Sequence, residues 1–283
     1  MNSNLPLTAK PIGSNIRTVV LIMDKINHFS LMIDALAELV EEEQAHHITP
    51  APGLPSLRSV IADASPLPRG AAFLGLAEDG LPVLLNLYDP IPGPILISGD
   101  QASGKTTLLQ TIARATEILH SPSEVQYSVI TQYPKEWNGF HGDPNNAGIY
   151  ATQNPTVQDL LHSLVTWAHN NKGGQQSVLL LIDDLEALTK LDQQTEQNLR
   201  WLLLRGPSRC VWPIVTINSS RAQSINPWLE FFRTRLFGHT RDSNDSYLLT
   251  SDSNKVLTDL IAGSEFTMKE GTNWLNFWVP TID

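Results

Sequence analysis

The residues Gly99-Asp100-Gln101-Ala102-Ser103-Gly104-Lys105-Thr106 constrain this chain more than any other stretch of it. They follow the apolar run Pro94-Ile95-Leu96-Ile97-Ser98 and precede Thr107 to Ala115, where apolar residues recur at helical spacing. A buried strand that turns sharply into a helix aims several backbone N–H groups and the positive end of a helix dipole at one point, and phosphate binds there. Gly99 and Gly104 let the backbone curl without a Cβ in the way, Lys105 can reach the outer phosphates, and the Thr106 hydroxyl can sit on Mg²⁺. The segment from Gly99 to Thr107 therefore reads as a phosphate cradle for ATP with Mg²⁺.

A second apolar run, Val178-Leu179-Leu180-Leu181-Ile182, ends in Asp183-Asp184-Leu185-Glu186. A buried strand ending in carboxylates can deliver Asp183 to the Mg²⁺ shell opposite Thr106. Asp184 or Glu186 can then polarise an attacking water, with Lys105 as the third candidate catalytic group; the alternative is a site that binds ATP and turns over slowly. A further parallel strand ends Val215-Thr216-Ile217-Asn218, placing Thr216 and Asn218 as candidates to sense the terminal phosphate, or as ordinary polar residues at a strand end.

Composition narrows the partners. The 283-residue chain has a formal net charge of −10, which opposes bulk coating of nucleic acid, so any DNA contact must be local. One cysteine, Cys210, excludes an intrachain disulfide and fits a reducing compartment, so a cytoplasmic location is expected. No apolar run approaches the roughly 18 residues of a membrane span, so direct membrane insertion is not expected. His46-His47 has no further ligand at metal spacing.

Three regions follow from patterning. In residues 1–48, Val19, Ile22, Ile26, Phe29, Ile33, Leu36 and Val40 form a seam that predicts an amphipathic helical arm, suited to packing on its own domain or on a partner protein; Thr18 to Ile22 is β-branched enough to be a strand instead. Residues 49–70 carry Pro50, Pro52, Pro55, Pro66 and Pro68 and predict an extended linker. Residues 71–283 alternate strand and helix, which predicts an α/β domain with a doubly wound, mostly parallel sheet. Its expected elements are strands at 71–77, 81–87, 125–131, 177–182, 211–216 and 234–238, helices at 105–119, 157–169, 194–204 and 255–261, and a closing hairpin at 265–268 and 274–279.

By these residues the chain resembles the FtsK/HerA class of P-loop motor ATPases over about Gly75 to Pro280. Ser121 to Ile130 and the Ile182-Asp183-Asp184 strand also resemble modules of the type VII secretion ATPase EccC, some of which carry paired aspartates. Phe232 to Gly238, Asp245-Ser246 and Gly263-Ser264-Glu265-Phe266 resemble the closing strands of that class. The chain departs from it at Gln132 to Trp137, which keeps only Pro134 and Lys135 of an Asp-Pro-Lys type segment, and at Tyr247, where an arginine is common. The resemblance implies a RecA-like P-loop NTPase that binds and hydrolyses ATP. It further implies a homo-oligomeric ring acting as a translocase on double-stranded DNA or, alternatively, an EccC-like nucleotide-gated interaction module. A ring would take an arginine in trans from among Arg205, Arg209, Arg221, Arg233, Arg235 and Arg241.

Overall fold

A computed structural model of the chain describes residues 55–171, 176–188, 192–270 and 273–283. The seam at Val19 to Val40 lies outside these residues. The first element is a helix, α1 (Leu57–Ala64), capped by the Ser56 hydroxyl, which accepts from the Ser59 N–H at 3.3 Å. This corrects the expected linker, because the proline-free stretch between Pro55 and Pro66 is long enough for two helical turns. Leu57, Val60 and Ile61 bury one face of α1. The Leu57 N–H donates to the Thr281 carbonyl at 2.8 Å, so the domain closes on residues well before position 71.

The hairpin β1 (Ala71–Ala77) and β2 (Pro82–Asn86) turns through Gly80 at φ 78°, where the left-handed region suits glycine. Next come β3 (Ile95–Gly99), α2 (Lys105–Leu119), β4 (Val125–Thr131), β5 (Asn146–Ala151), α3 (Thr156–Asn170) and β6 (Ser177–Asp183). They are followed by the short α4 (Leu185–Leu188), α5 (Gln193–Arg205), β7 (Val211–Asn218), α6 (Asn226–Leu229), β8 (Thr234–Gly238), α7 (Ser243–Thr250), β9 (Glu265–Glu270) and β10 (Asn273–Trp278).

The strands form one 10-stranded sheet in the order β2-β1-β10-β9-β8-β3-β7-β6-β4-β5. From β8 to β5 all neighbours are parallel, and from β9 to β2 they are antiparallel. Sequence order and spatial order diverge because crossover helices carry the chain between parallel strands. Strand residues alternate between two cores: Ile95, Ile97, Leu179 and Leu181 face α2, while Leu96, Leu180 and Ile182 face α3 and α5. A sheet covered on both faces explains the near-continuous apolar runs.

One local expectation fails and one strand was not expected. No helix forms at 255–261; it forms instead at Ser243–Thr250, because the Asp242 carboxylate accepts from the Asn244 and Asp245 N–H groups at 2.7 and 3.2 Å and starts a helix there. Strand β5, with Asn146 and Gly148, carries little strand propensity and is held by its pairing with β4.

Candidate nucleotide-binding site

Parallel strands all point the same way, so the carboxyl ends of β3, β7, β6 and β4 converge on one edge of the sheet. There the chain leaves β3 at Gly99 and enters α2 at Lys105. Gly99 and Gly104 are required sterically. A Cβ on Gly99 would lie 2.4 Å from the Ser103 hydroxyl oxygen, and one on Gly104, at φ 95°, would lie 2.5 Å from the Gly263 carbonyl oxygen. Ala102 also takes the left-handed conformation, at φ 62°. Gln101, Ala102 and Thr107 are exposed, whereas Ser103 is buried. The loop is tied to the segment after β8: the Asp100 N–H donates to the His239 carbonyl, and the Asp100 carboxylate accepts from the Arg241 N–H, both at 2.9 Å.

The Lys105 ammonium lies within the loop, donating to the Gly99 and Asp100 carbonyls at 2.9 and 2.6 Å and to the Ser103 hydroxyl at 3.4 Å. Burial pulls its pKa down, while the charges of Asp183, Asp100 and Asp184 oppose that. The Thr106 hydroxyl donates to the Asp183 carboxylate, with oxygen distances of 3.0 and 3.2 Å. Burial pushes the Asp183 carboxyl above its ordinary range, against the donations of the Thr216 and Thr106 hydroxyls. The desolvated Asp183 carboxylate beside the Thr106 hydroxyl is an oxygen donor set that fits Mg²⁺ held mainly by phosphates, water and one or two side chains, and the Lys105 ammonium would pair with the phosphates. The close-packed backbone at Gly104 and the N–H groups opening α2 fit a phosphate chain.

Strand β7 lies between β3 and β6, which makes Thr216 the neighbour of both halves of the site. Its hydroxyl donates to Asp183 at 2.9 Å and accepts from the Asp184 N–H at 2.8 Å, and the residue is buried. In this structure Thr216 bridges the two aspartates, its one hydroxyl hydrogen donated to Asp183. Asn218 pairs in register with Gly99, but its side-chain oxygen accepts from the Ser220 N–H and hydroxyl at 3.2 and 3.1 Å, leaving the amide NH₂ for a ligand.

Asp184 takes φ 82°, uncommon for a non-glycine residue, and burial raises its pKa. One carboxylate oxygen accepts from the Gln132 amide at 2.5 Å and the other from the Glu186 N–H at 3.0 Å. In the sequence Gln132 stands out only as the start of the segment Gln132 to Trp137, and the β4·β6 pairing brings it to Asp184. Glu186 lies 3.4 Å from the Arg221 guanidinium. Of the six arginines considered for action in trans, Arg235 is removed: its guanidinium donates to the Leu229, Leu249 and Phe232 carbonyls at 2.8, 2.9 and 3.1 Å. Arg205, Arg209 and Arg233 precede β7 and β8 and stand at the opposite edge of the sheet, while Arg221 and Arg241 follow those strands on the edge of the site.

Fold and loop together give an α/β domain with a glycine-relieved strand–loop–helix junction at the carboxyl edge of its parallel strands. Comparison with solved structures finds the same fold in several ATPase domains. The chain aligns with EssC (ATPases 2 and 3) from Geobacillus thermodenitrificans at TM-score 0.66 and 16% identity, over 81% of this chain and 47% of that one. Alignment with Thermomonospora curvata EccC (ATPases 2 and 3) in complex with a signal sequence peptide gives TM-score 0.64 and 16% identity, over 82% and 43%. The cytoplasmic domain of the T. curvata type VII secretion ATPase EccC gives TM-score 0.61 and 16% identity, over 81% and 28%. The chain thus spans between about a quarter and a half of these proteins. No family model and no curated protein matches the chain. Among the described residues, no helix is long and apolar enough to cross a membrane.

Proposed function

We propose that this chain is an ATP-binding and ATP-hydrolysing module of the EccC/EssC type within the FtsK/HerA class, and that its nucleotide cycle acts on a protein partner. The observation that carries the reading is the convergence of Lys105, Thr106 and Asp183, with the Thr106 hydroxyl 3.0 Å from the carboxylate. In this reading Lys105 and the loop amides bind the phosphates, and Thr106 and Asp183 hold Mg²⁺, which would neutralise charge on the terminal phosphates. Asp184 orients the attacking water, with Glu186 as the alternative, and Asn218 contacts the terminal phosphate. Positioning and charge carry most of phosphoryl-transfer catalysis, so an aspartate in this role is compatible with turnover.

A protein partner is favoured over DNA by the formal charge of −10 and by the shape match to an EccC complex with a signal sequence peptide. The ring and the arginine supplied in trans belong to the same reading, with Arg221 and Arg241 as the two candidates on the correct edge.

The test is phosphate release with Mg²⁺ and ATP, with and without long double-stranded DNA. Turnover indifferent to DNA and abolished in Lys105→Ala, with ATP affinity lost in calorimetry, supports the reading. Several-fold stimulation by DNA replaces the protein-directed reading with a translocase, and ATP affinity unchanged in Lys105→Ala overturns the site assignment.

A further inference from the structure

In the proposed site, Asp183 ends β6 and Asp184 follows it, beyond β7 on one side of β3, so the terminal phosphate and its Mg²⁺ lean to that side. The rest of a nucleotide then leaves the loop on the other side of β3, where β8 and β9 stand. Strand β9 runs antiparallel to β8 and so begins on the edge of the site, preceded by the turn Ile261-Ala262-Gly263-Ser264. This turn is fastened to the phosphate loop. The Gly263 carbonyl oxygen lies 2.5 Å from where a Cβ on Gly104 would stand. The Leu260 carbonyl oxygen is 3.0 Å from the His239 Nδ1, and the His239 carbonyl takes the Asp100 N–H. The Ile261 N–H donates to the Glu265 carboxylate at 2.8 Å, and the Ile261 carbonyl accepts from the Glu265 N–H at 3.0 Å.

The outer face of this well-held turn is nevertheless open. Ile261 is 61% exposed, and Ala262 is exposed beside it. Gly263 takes φ 97°, and a Cβ on it would meet nothing within 4 Å, so free space lies directly over its backbone. A glycine at such a point admits close approach of a ligand to the main chain. We propose that Ile261 to Gly263 seat the base of the nucleotide, with the Ile261 side chain against its apolar face and the Gly263 backbone beneath it. This rests on the nucleotide-binding reading given above. Every nucleobase has a flat face that gains from apolar contact, whereas a bare polyphosphate has none. The seat therefore selects base-bearing nucleotides over inorganic polyphosphates of similar charge, and Ile261 contributes to affinity through the base alone.

The experiment is calorimetry in Mg²⁺ with two probes, ATP and inorganic tripolyphosphate, on wild type, Ile261→Ala, Ile261→Asn and Ile261→Leu. Because Ile261 is exposed, the variants retain the fold, which circular dichroism and melting check. Expected is ATP binding weakened several-fold in Ile261→Ala and Ile261→Asn and kept in Ile261→Leu, which preserves the apolar area, while tripolyphosphate binds all four proteins alike. ATP affinity unchanged in Ile261→Ala and Ile261→Asn overturns the seat. Equal weakening of both probes also overturns it, because Ile261 would then act on the shape of the phosphate loop through Gly263. Failure of wild type to bind either probe overturns instead the nucleotide-binding reading on which the seat rests.

Discussion

At Asp183 one side chain serves two opposed demands. Its carboxylate is buried where the proposed function needs it charged to hold Mg²⁺, and burial raises its pKa. A carboxyl whose pKa is higher in the folded than in the unfolded state favours the fold when protonated; that contribution is complete below the unfolded pKa and is lost as pH rises through the raised value. Asp183→Asn, measured without Mg²⁺ or nucleotide, should therefore melt progressively higher than wild type as pH rises from 4 to 7.5, while losing Mg²⁺-dependent ATP affinity. A melting difference that does not grow with pH would place the charge in a solvated setting. The two motifs led to the expectation that Asp183 and Thr106 face each other, and their side chains meet. The motifs did not reveal Thr216 as their clasp, because a threonine at a strand end has the same appearance whether its hydroxyl meets a phosphate or a carboxylate.

At the scale of elements, the junction of β3 and α2 depends on close backbone approach. Gly104→Ala puts a Cβ 2.5 Å from the Gly263 carbonyl oxygen, which is backbone and cannot rotate away, and imposes φ 95° on an L residue. The expected result is a loss of about 1–3 kcal/mol of stability together with at least a tenfold weaker nucleotide affinity, read by thermal melting and calorimetry. Wild-type affinity would mean that the loop around Gly263 yields freely. Helix α1 supplies a second case. Leu57 is fully buried against β1, β2 and α2, so Leu57→Ala should cost about 2–4 kcal/mol by cavity formation, measured by urea denaturation. A change under 0.5 kcal/mol would return this segment to the linker expected from its prolines. That expectation counted prolines without weighing where they stand. Pro55 and Pro66 flank α1, and the interval between them holds a capping serine and an apolar stripe.

For the molecule as a whole, the ten strands among the described residues form one sheet, and the order β3-β7-β6 inserts a strand between the two halves of the candidate site. Partner contacts would be made at surfaces, and the sequence offers one: the apolar seam from Val19 to Val40, which lies outside the described residues. If the seam mediates assembly, Ile26→Asp with Ile33→Asp should reduce the sedimentation coefficient of the oligomer while leaving ATP affinity intact. An unchanged coefficient assigns the seam to packing within the chain.

Local chemistry was legible in the chain itself: a strand, a glycine-relieved turn and a lysine at a helix start need only neighbours in sequence, and α2 and β4 form at their expected residues. The two-faced sheet was likewise readable, since strands buried on both sides must be apolar throughout. What required the tertiary structure is every relation across the sheet, from Gln132 on Asp184, Thr216 between the aspartates and Gly263 under Gly104 to Arg235 turned inward onto three carbonyls. The reason is physical. Strand order and register decide which distant residues meet, and each of these contacts depends on where a partner many positions away is delivered rather than on the pattern around the residue itself.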